Sequence, residues 1–265
     1  MALPDGVLPG RLPTGGARKR FGQHFLTDAY VLDEIVACIA PRNGEMLVEI
    51  GPGHGALTFR LLEKGAVVHA VELDRDLVEE LGQHAARIPS LHVHAADALA
   101  FDFTSLPSAA PLRVVGNLPY NISTPLMLRL VRLGDRVQDM CFMLQREVAE
   151  RMCALPGTAA YGRLSVLTQA FCTATMLLEV PPQAFTPPPK VDSRVILLRP
   201  HPAPCAFDAL EKVVAQAFAH RRKMLRHTLG RQFDAATLAA LGIALTDRPE
   251  DVTVAQYVAL ARHHA

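Results

Sequence analysis

Met46-Leu47-Val48-Glu49-Ile50 is a short apolar run that leads directly into Gly51-Pro52-Gly53-His54-Gly55, after which Ala56-Leu57-Thr58 starts a helix. Strand, glycine loop and helix in that order form the mononucleotide-binding half of a doubly wound α/β sheet. The glycines remove side chains so that the backbone can approach a ligand closely, and the helix N-terminus offers unpaired amides. A plain tight turn uses the same glycines, so the neighbouring strand ends have to decide between the two. With 265 residues and 50% hydrophobic composition, the chain suits one large domain with a smaller companion.

Ala66-Val67-Val68-His69-Ala70-Val71 reads as the next strand and delivers Glu72 just beyond its end, where an acid grips ribose hydroxyls in nucleotide-binding folds. Leu73-Asp74 starts a helix with Leu77 and Leu81 one turn apart, Asp74 reading as its cap. Leu91 to Ala95 is a third strand, ending at Asp97, a carboxylate suited either to a cofactor's adenine amine or to capping a turn. Ligands in open α/β sheets sit outside the carboxyl ends of the strands, where Gly51, Glu72 and Asp97 all fall. A dinucleotide fold wants Gly-x-Gly-x-x-Gly, whereas here the third glycine arrives one residue early, as Glu49-x-Gly51-x-Gly53-x-Gly55. That form resembles the S-adenosylmethionine loop of class I methyltransferases. The early glycine and the lack of obvious hydride-site residues disfavour the rival reading, a nicotinamide dehydrogenase.

The fourth strand, Leu112 to Gly116, ends in Asn117-Leu118-Pro119-Tyr120 and is followed by a helix-like segment at Ser123-Thr124-Pro125. An exocyclic amine on a flat base needs two acceptors in its plane and a ring to stack on, which Asn117, the Leu118 carbonyl and Tyr120 supply. Pro119 restricts the backbone of Leu118 and so fixes the direction of that carbonyl. A turn with an asparagine bonding its own backbone is the plain alternative.

Outside this core, residues 1 to 17 are rich in Pro and Gly and are expected to form a mobile tail. Arg18-Lys19-Arg20 precedes Phe21-Gly22-Gln23-His24-Phe25-Leu26, which reads as a basic arm on RNA phosphates followed by a loop over a cofactor. Thr27 or Asp28 caps a helix whose apolar face is Val31, Leu32, Ile35, Val36 and Ile39. Asp139 to Leu144 is a fifth strand, and Arg194 to Leu198 a closing strand that pairs with it. The Pro-rich segment from Phe185 to Ser193 holds Phe185 on a stiff, extended stretch, or is a linker. Pro200 to Pro204 is the expected domain boundary, giving a sheet domain over 18–200 and an all-helical domain over 205–265. A helix from Asp208 to Leu229, stopped by Gly230, would place Arg222 and Arg226 on one solvent face with Lys223 and His227. With Arg221 and Arg231 they form a patch, uninterrupted by acid until Asp234, that is suited to RNA phosphates.

The formal net charge is +1, so a nucleic-acid partner has to be held by such local patches. Five widely spaced cysteines without a Cys-x-x-Cys pair argue against a disulfide framework or a zinc cluster, and no metal is expected. No secretion signal or membrane span is found, and a cytoplasmic protein is the expectation.

Gln23-His24-Phe25-Leu26, Glu49 to Gly55, Val71-Glu72-Leu73-Asp74, Ala96-Asp97-Ala98 and Gly116-Asn117-Leu118-Pro119-Tyr120-Asn121-Ile122-Ser123 stand in the order and spacing of one family. The chain resembles the KsgA family, the adenine N6-dimethyltransferases of small-subunit ribosomal RNA, from about residue 18 to its C-terminal segment. The resemblance implies a class I methyltransferase (Rossmann-like) sheet and S-adenosylmethionine bound by Gln23, His24, Leu26, Glu49, Gly51, Gly53, Glu72, Asp97, Ala98 and Asn117. It further implies an acceptor site of Asn117, Leu118, Pro119 and Tyr120 with Phe185 beside the target base. His24 stands where many relatives have Asn. The implied substrate is two adjacent adenosines in a hairpin near the 3′ end of 16S rRNA in the small (30S) subunit, and a second role in subunit assembly is implied as well. No heptad or edge signal speaks to oligomeric state, and a monomer is the expectation. Two related readings stay open, an erythromycin-resistance methyltransferase acting on large-subunit RNA and a non-catalytic ribosome-binding module. The Phe185 segment and the basic helix favour the small-subunit enzyme over the first, and Asn117 with Tyr120 argues against the second.

Overall fold

A computed structural model describes residues 24–119 and 122–263. The chain opens with β1 (Phe25–Leu26), α1 (Ala29–Ile39), β2 (Met46–Ile50), α2 (Ala56–Glu63), β3 (Val67–Glu72), α3 (Arg75–Ala85) and β4 (Leu91–Ala95). It continues with β5 (Leu112–Asn117), α4 (Ser123–Val131), β6 (Val137–Gln145), α5 (Arg146–Cys153), α6 (Arg163–Phe171), β7 (Cys172–Val180), β8 (Phe185–Thr186) and β9 (Ser193–Pro200). Helices α7 (Phe207–Phe218), α8 (Ala235–Ala240) and α9 (Val254–His263) complete the described residues.

Seven strands form one sheet in the order β4-β3-β2-β5-β6-β9-β7. Neighbours from β4 to β6 run parallel, and β9 returns antiparallel to β6. The order reverses at β2, flanked by β3 and β5, so the topological switch point lies where the glycine loop leaves the sheet. The hydrophobic runs of β2, β3 and β5 are nearly continuous because both faces are covered. Gly116 allows β5 to approach β2: its φ is 151°, and a Cβ there would lie 2.4 Å from the Ile50 carbonyl oxygen.

Local signals set the helix ends. Asp28 accepts from the Val31 N–H at 3.1 Å and Asp74 accepts from the Asp76 N–H at 3.2 Å, as N-caps do. The first helix turns out of α-geometry at Ala40, whose φ is 48°, just before Pro41. All five apolar residues of its expected face are buried, each worth about 1.5–3 kcal/mol of transfer free energy. The one buried cation of β5, Arg113, is fully engaged by Asp139 at 2.9 Å, Glu45 at 2.8 Å and the Ile39 carbonyl at 2.6 Å.

The chain divides into two compact units, one of the residues up to Arg146 with Thr175–Leu198, the other of Glu147–Ala174 with the chain from Arg199 onward. The last of the three passages between them, after Leu198, falls beside the expected boundary at Pro200. Glu147–Ala174, expected within the sheet domain, instead packs with the C-terminal helices, because its aromatic residues find their partners there. The Tyr161 hydroxyl donates to the Val252 carbonyl at 2.9 Å, its ring lies 6.4 Å from that of Phe218, and Phe171 lies 5.1 Å from Phe207.

The expected helix from Asp208 to Leu229 is shorter. It stops at Phe218, and Leu225–His227 and Leu229–Arg231 are single 3-10 turns. The Leu225 and Arg226 amides donate instead to the Asp247 and Leu245 carbonyls at 2.8 and 3.0 Å, which draws Leu225 and Leu229 into the core. The cations therefore do not share a helix face, although Arg222, Lys223 and Arg226 are all exposed.

Candidate functional site

The site grows from four adjacent strand ends, those of β4, β3, β2 and β5, and the loops that leave them. After β2, Gly51, Gly53 and Gly55 all adopt positive φ (64°, 59° and 84°), which is why the loop needs glycine. A Cβ on Gly51 would touch the Pro119 side chain at 3.6 Å and the Asn117 carbonyl at 3.8 Å, so this loop lies against the end of β5. A Cβ on Gly53 would reach the Phe25 ring at 3.0 Å, so that ring lies directly over the loop. The His54 ring packs 4.6 Å from the Phe25 ring, and its Nδ1 is held by Glu80 at 2.9 Å.

Two acids brace the loop from below. Glu49, in β2, is 2% exposed and accepts from the Thr58 hydroxyl at 2.6 Å. Burial pushes its carboxyl up to about 7; the Thr58 hydroxyl pulls the other way and the Glu72 charge adds to the rise. Glu72, at the end of β3, accepts from the Gly53 amide at 3.3 Å and from the Leu73 and Asp74 amides at 2.8 and 2.9 Å. Its carboxyl is raised by burial against the opposing pull of those three amides. Beyond β4, Asp97 is exposed and its Oδ1 accepts from the Leu99 amide at 2.8 Å, while Ala98 is buried.

At the end of β5, Asn117 is half-buried and its Nδ2 donates to the His24 carbonyl at 3.1 Å. A carbonyl accepts only, so this contact assigns Nδ2 to the edge of the amide facing His24 and Oδ1, the amide's acceptor atom, to the other edge. Leu118 is anchored by its buried side chain and by its amide, which donates to the Met143 carbonyl at 3.2 Å; the Pro119 carbonyl accepts from the Ile122 amide at 3.1 Å. Tyr120 lies outside the described residues, as do Gln23, Arg18, Lys19 and Arg20.

His24, Leu26 and Phe185 meet across a two-stranded ribbon in which β1 pairs antiparallel with β8, Leu26 opposite Phe185. His24 Nδ1 bonds the Pro187 carbonyl at 2.8 Å, and the Thr27 and Asp28 amides both donate to the Ala184 carbonyl. Phe185 is 3% exposed in the same apolar cluster as Leu26, so its ring is part of the core. In the other unit, Arg221 is tied to the Ala159 carbonyl at 2.6 Å and faces Glu250 at 3.9 Å, while Arg226 donates to the neighbouring His227 Nε2 at 3.1 Å; Arg221, Arg222, Lys223 and Arg226 are all exposed.

Phe25, Thr58, Glu80 and Arg129 contribute to this architecture without having been singled out by the sequence. Only Phe25 carried a signal, as the aromatic residue inside Gln23-His24-Phe25-Leu26; the others act through partners 9 to 31 residues away. Among the described residues no group of His, Cys, Asp or Glu is placed to hold a metal, and no helix is long and apolar enough to cross a membrane.

The arrangement offers a glycine-lined approach with the buried carboxylate of Glu72 beside it and the Asn117 amide and Leu118 carbonyl at the neighbouring strand end, groups whose chemistry fits an adenosine-containing methyl donor and a base. Comparisons with known proteins agree. Residues 15–265 match the family model for ribosomal RNA adenine dimethylase. Ribosomal RNA small subunit methyltransferase A from Chromobacterium violaceum is 54% identical over 251 residues, spanning 93% of this chain and 95% of that protein. The protein of the same name from Alcanivorax borkumensis is 51% identical, spanning 92% of this chain and 89% of that one. Among solved structures, a dimethyladenosine transferase from Plasmodium falciparum superposes with a TM-score of 0.76 at 27% identity, covering 89% of this chain and 96% of that one. The 23S rRNA methyltransferase ErmE superposes with a TM-score of 0.68 at 25% identity, covering 90% and 98%. A class I methyltransferase sheet, matched over nearly the whole length of the chain, places it in the ribosomal RNA adenine dimethylase family.

Proposed function

We propose that this chain dimethylates N6 of two adjacent adenosines in the 3′-terminal hairpin of 16S rRNA, acting as a cytoplasmic monomer on the small (30S) ribosomal subunit during its biogenesis. The methyl donor is S-adenosylmethionine, whose sulfonium supplies an already activated methyl group, so the protein's task is orientation more than acid–base chemistry. Glu72 would hold the ribose hydroxyls, exchanging the Gly53 amide for them, while Gly51 and Gly53 let the chain approach closely. Asp97 and Ala98 would flank the adenine, and Gln23, His24 and Leu26 would close over the donor. Glu49, buried and bonded to Thr58, supports the loop from beneath.

For the acceptor, the target base is extruded from the RNA and stacked on Tyr120, with the buried Phe185 supporting the wall behind it. The Asn117 Oδ1 and the Leu118 carbonyl accept the two N6 protons, which favours a more tetrahedral, nucleophilic nitrogen. After the first transfer one N6 proton remains and is lost in the second, so the pocket must allow rotation about C6–N6. Arg18, Lys19, Arg20, Arg222, Lys223 and Arg226 would meet RNA phosphates, with Arg221 a weaker contributor because it is already partnered.

The observation that supports this reading best is the Asn117–His24 contact, in which Nδ2 is the donor and Oδ1 is left as the amide's acceptor atom. It is tested by Asn117→Ala: turnover should be lost while S-adenosylmethionine still binds. Equal loss of both would move Asn117 into the cofactor site. The likeness to ErmE supports a second reading, a large-subunit RNA target, which comparing methyl transfer to isolated small and large subunits separates.

A further inference from the structure

The geometry points to Arg129 as a positioning residue for the adenine end of the methyl donor. Arg129 is half-buried in the second half of α4, the helix that follows the Asn117 motif. Its guanidinium crosses to the loop after β4, where Nη1 donates to the Ala98 carbonyl at 2.7 Å and Nη2 to the Phe101 carbonyl at 2.5 Å. The same group lies 5.3 Å from the centre of the Phe103 ring, a cation–π distance. Two divergent carbonyls and an aromatic face therefore fix one end of a single fork-shaped cation, a task that Arg's planar geometry suits and Lys's does not.

The loop so held runs from Asp97 to Phe101. Its own bonds close it into a tight turn: the Ala100 and Phe101 amides donate to the Asp97 carbonyl at 2.9 and 2.8 Å, and the Leu99 amide to Asp97 Oδ1. Those internal bonds shape the turn but do not join it to the rest of the sheet domain. Arg129 does, taking the carbonyls of Ala98 and Phe101 on either side of the turn. The Ala98 main chain is thus fixed from α4, and the Asp97 carboxylate, held by the Leu99 amide, belongs to the turn that Arg129 anchors; these are the two groups that would face the adenine. This inference rests on the reading of Asp97 and Ala98 as cofactor contacts. It adds that the helix leaving the acceptor motif also braces the donor's base.

The test is binding of S-adenosylmethionine and of adenosine alone to the full-length protein by calorimetry, with steady-state kinetics on small subunits, for wild type, Arg129→Gln and Arg129→Ala. The Gln variant keeps much of the stem against Phe103 and one donor group, and so stands in if the Ala variant folds poorly. Losing a charge-assisted pair of bonds to the loop should weaken both ligands by about tenfold or more in the Ala variant, and by a smaller factor in the Gln variant. The KM for S-adenosylmethionine should rise in parallel while kcat at saturation stays within about twofold, since orientation of the acceptor is untouched. Unchanged affinities with a lowered melting temperature would overturn the inference, leaving Arg129 a structural clamp. So would a fall in kcat at unchanged KM. Failure of the wild-type protein to bind S-adenosylmethionine would instead overturn the underlying methyltransferase reading.

Discussion

The side-chain amide of Asn117 donates its Nδ2 hydrogen to the main-chain carbonyl of His24 at 3.1 Å, across 93 residues of sequence. The contact joins the residue preceding the short strand over the glycine loop to the end of β5. It makes the acceptor edge of Asn117 a property of the fold rather than of the substrate.

Asn117→Asp is therefore a sharper probe than truncation. The carboxylate would set an oxygen against the His24 carbonyl at the same distance, so it must swing away or take up a proton. We expect kcat to fall by about 100-fold or more, as when a preorganised polar group is removed from a transition state, with S-adenosylmethionine affinity changed by only about threefold. Single-turnover methyl transfer with parallel calorimetry measures both. Activity within about twofold of wild type would mean that the amide's orientation does not matter.

Glu49 makes stability pH-dependent. Its carboxyl is raised from 4.5 to about 7, so between those values the folded protein holds a proton that the unfolded chain has lost. Stability from this group is full below 4.5 and is lost as pH rises through about 7. Glu49→Gln keeps an acceptor for the Thr58 hydroxyl without the charge. The difference between variant and wild-type melting temperatures should thus grow in the variant's favour from acid to neutral pH and level off above it. A constant difference across that range would contradict the argument.

Much of this site can be read along the chain. The glycine loop announces itself because Gly51, Gly53 and Gly55 sit at positive φ, and Glu72 and Asp97 announce themselves because each directly follows a β-rich run. What escapes is whatever depends on partners remote in sequence. The β1–β8 ribbon joins residues about 160 positions apart, and β7, an edge strand with an irregular burial pattern, lacks the alternation that marks a strand. The periodicity from Asp208 to Leu229 is helical throughout, yet the Leu245–Asp247 loop captures the backbone amides after Phe218 and ends the helix. Arg129 looks like an ordinary solvent-facing cation until the loop carbonyls it holds are seen.

Gly116→Ala should cripple folding. The added Cβ would meet the Ile50 carbonyl oxygen at 2.4 Å, backbone against neighbouring strand, at a φ of 151°. Strain of this kind costs about 1–3 kcal/mol before any displacement of β5 from β2 is counted. Urea unfolding should show the midpoint falling sharply or the protein becoming insoluble. A variant with wild-type stability would mean that the two strands can move apart freely.

The cations of the C-terminal unit should divide by their existing partners. Arg222→Ala with Arg226→Ala should weaken RNA binding and reduce the slope of log affinity against log salt by about 1.4–1.8, the release of two phosphate contacts. Arg221→Ala should change the slope less, since its guanidinium is already engaged by the Ala159 carbonyl and Glu250. Salt titrations of binding to small-subunit RNA read both; equal slopes for all variants would reject this face as the contact.

The most direct test of the account is mass spectrometry of small-subunit RNA from cells lacking the protein, after incubation of those subunits with S-adenosylmethionine and the wild-type or Asn117→Ala protein. We predict a gain of about 28 Da, two methyl groups, on each of two adjacent adenosines near the 3′ end with the wild type and none with the variant. Methylation at any other position, on large-subunit RNA alone, or undiminished by Asn117→Ala would contradict it.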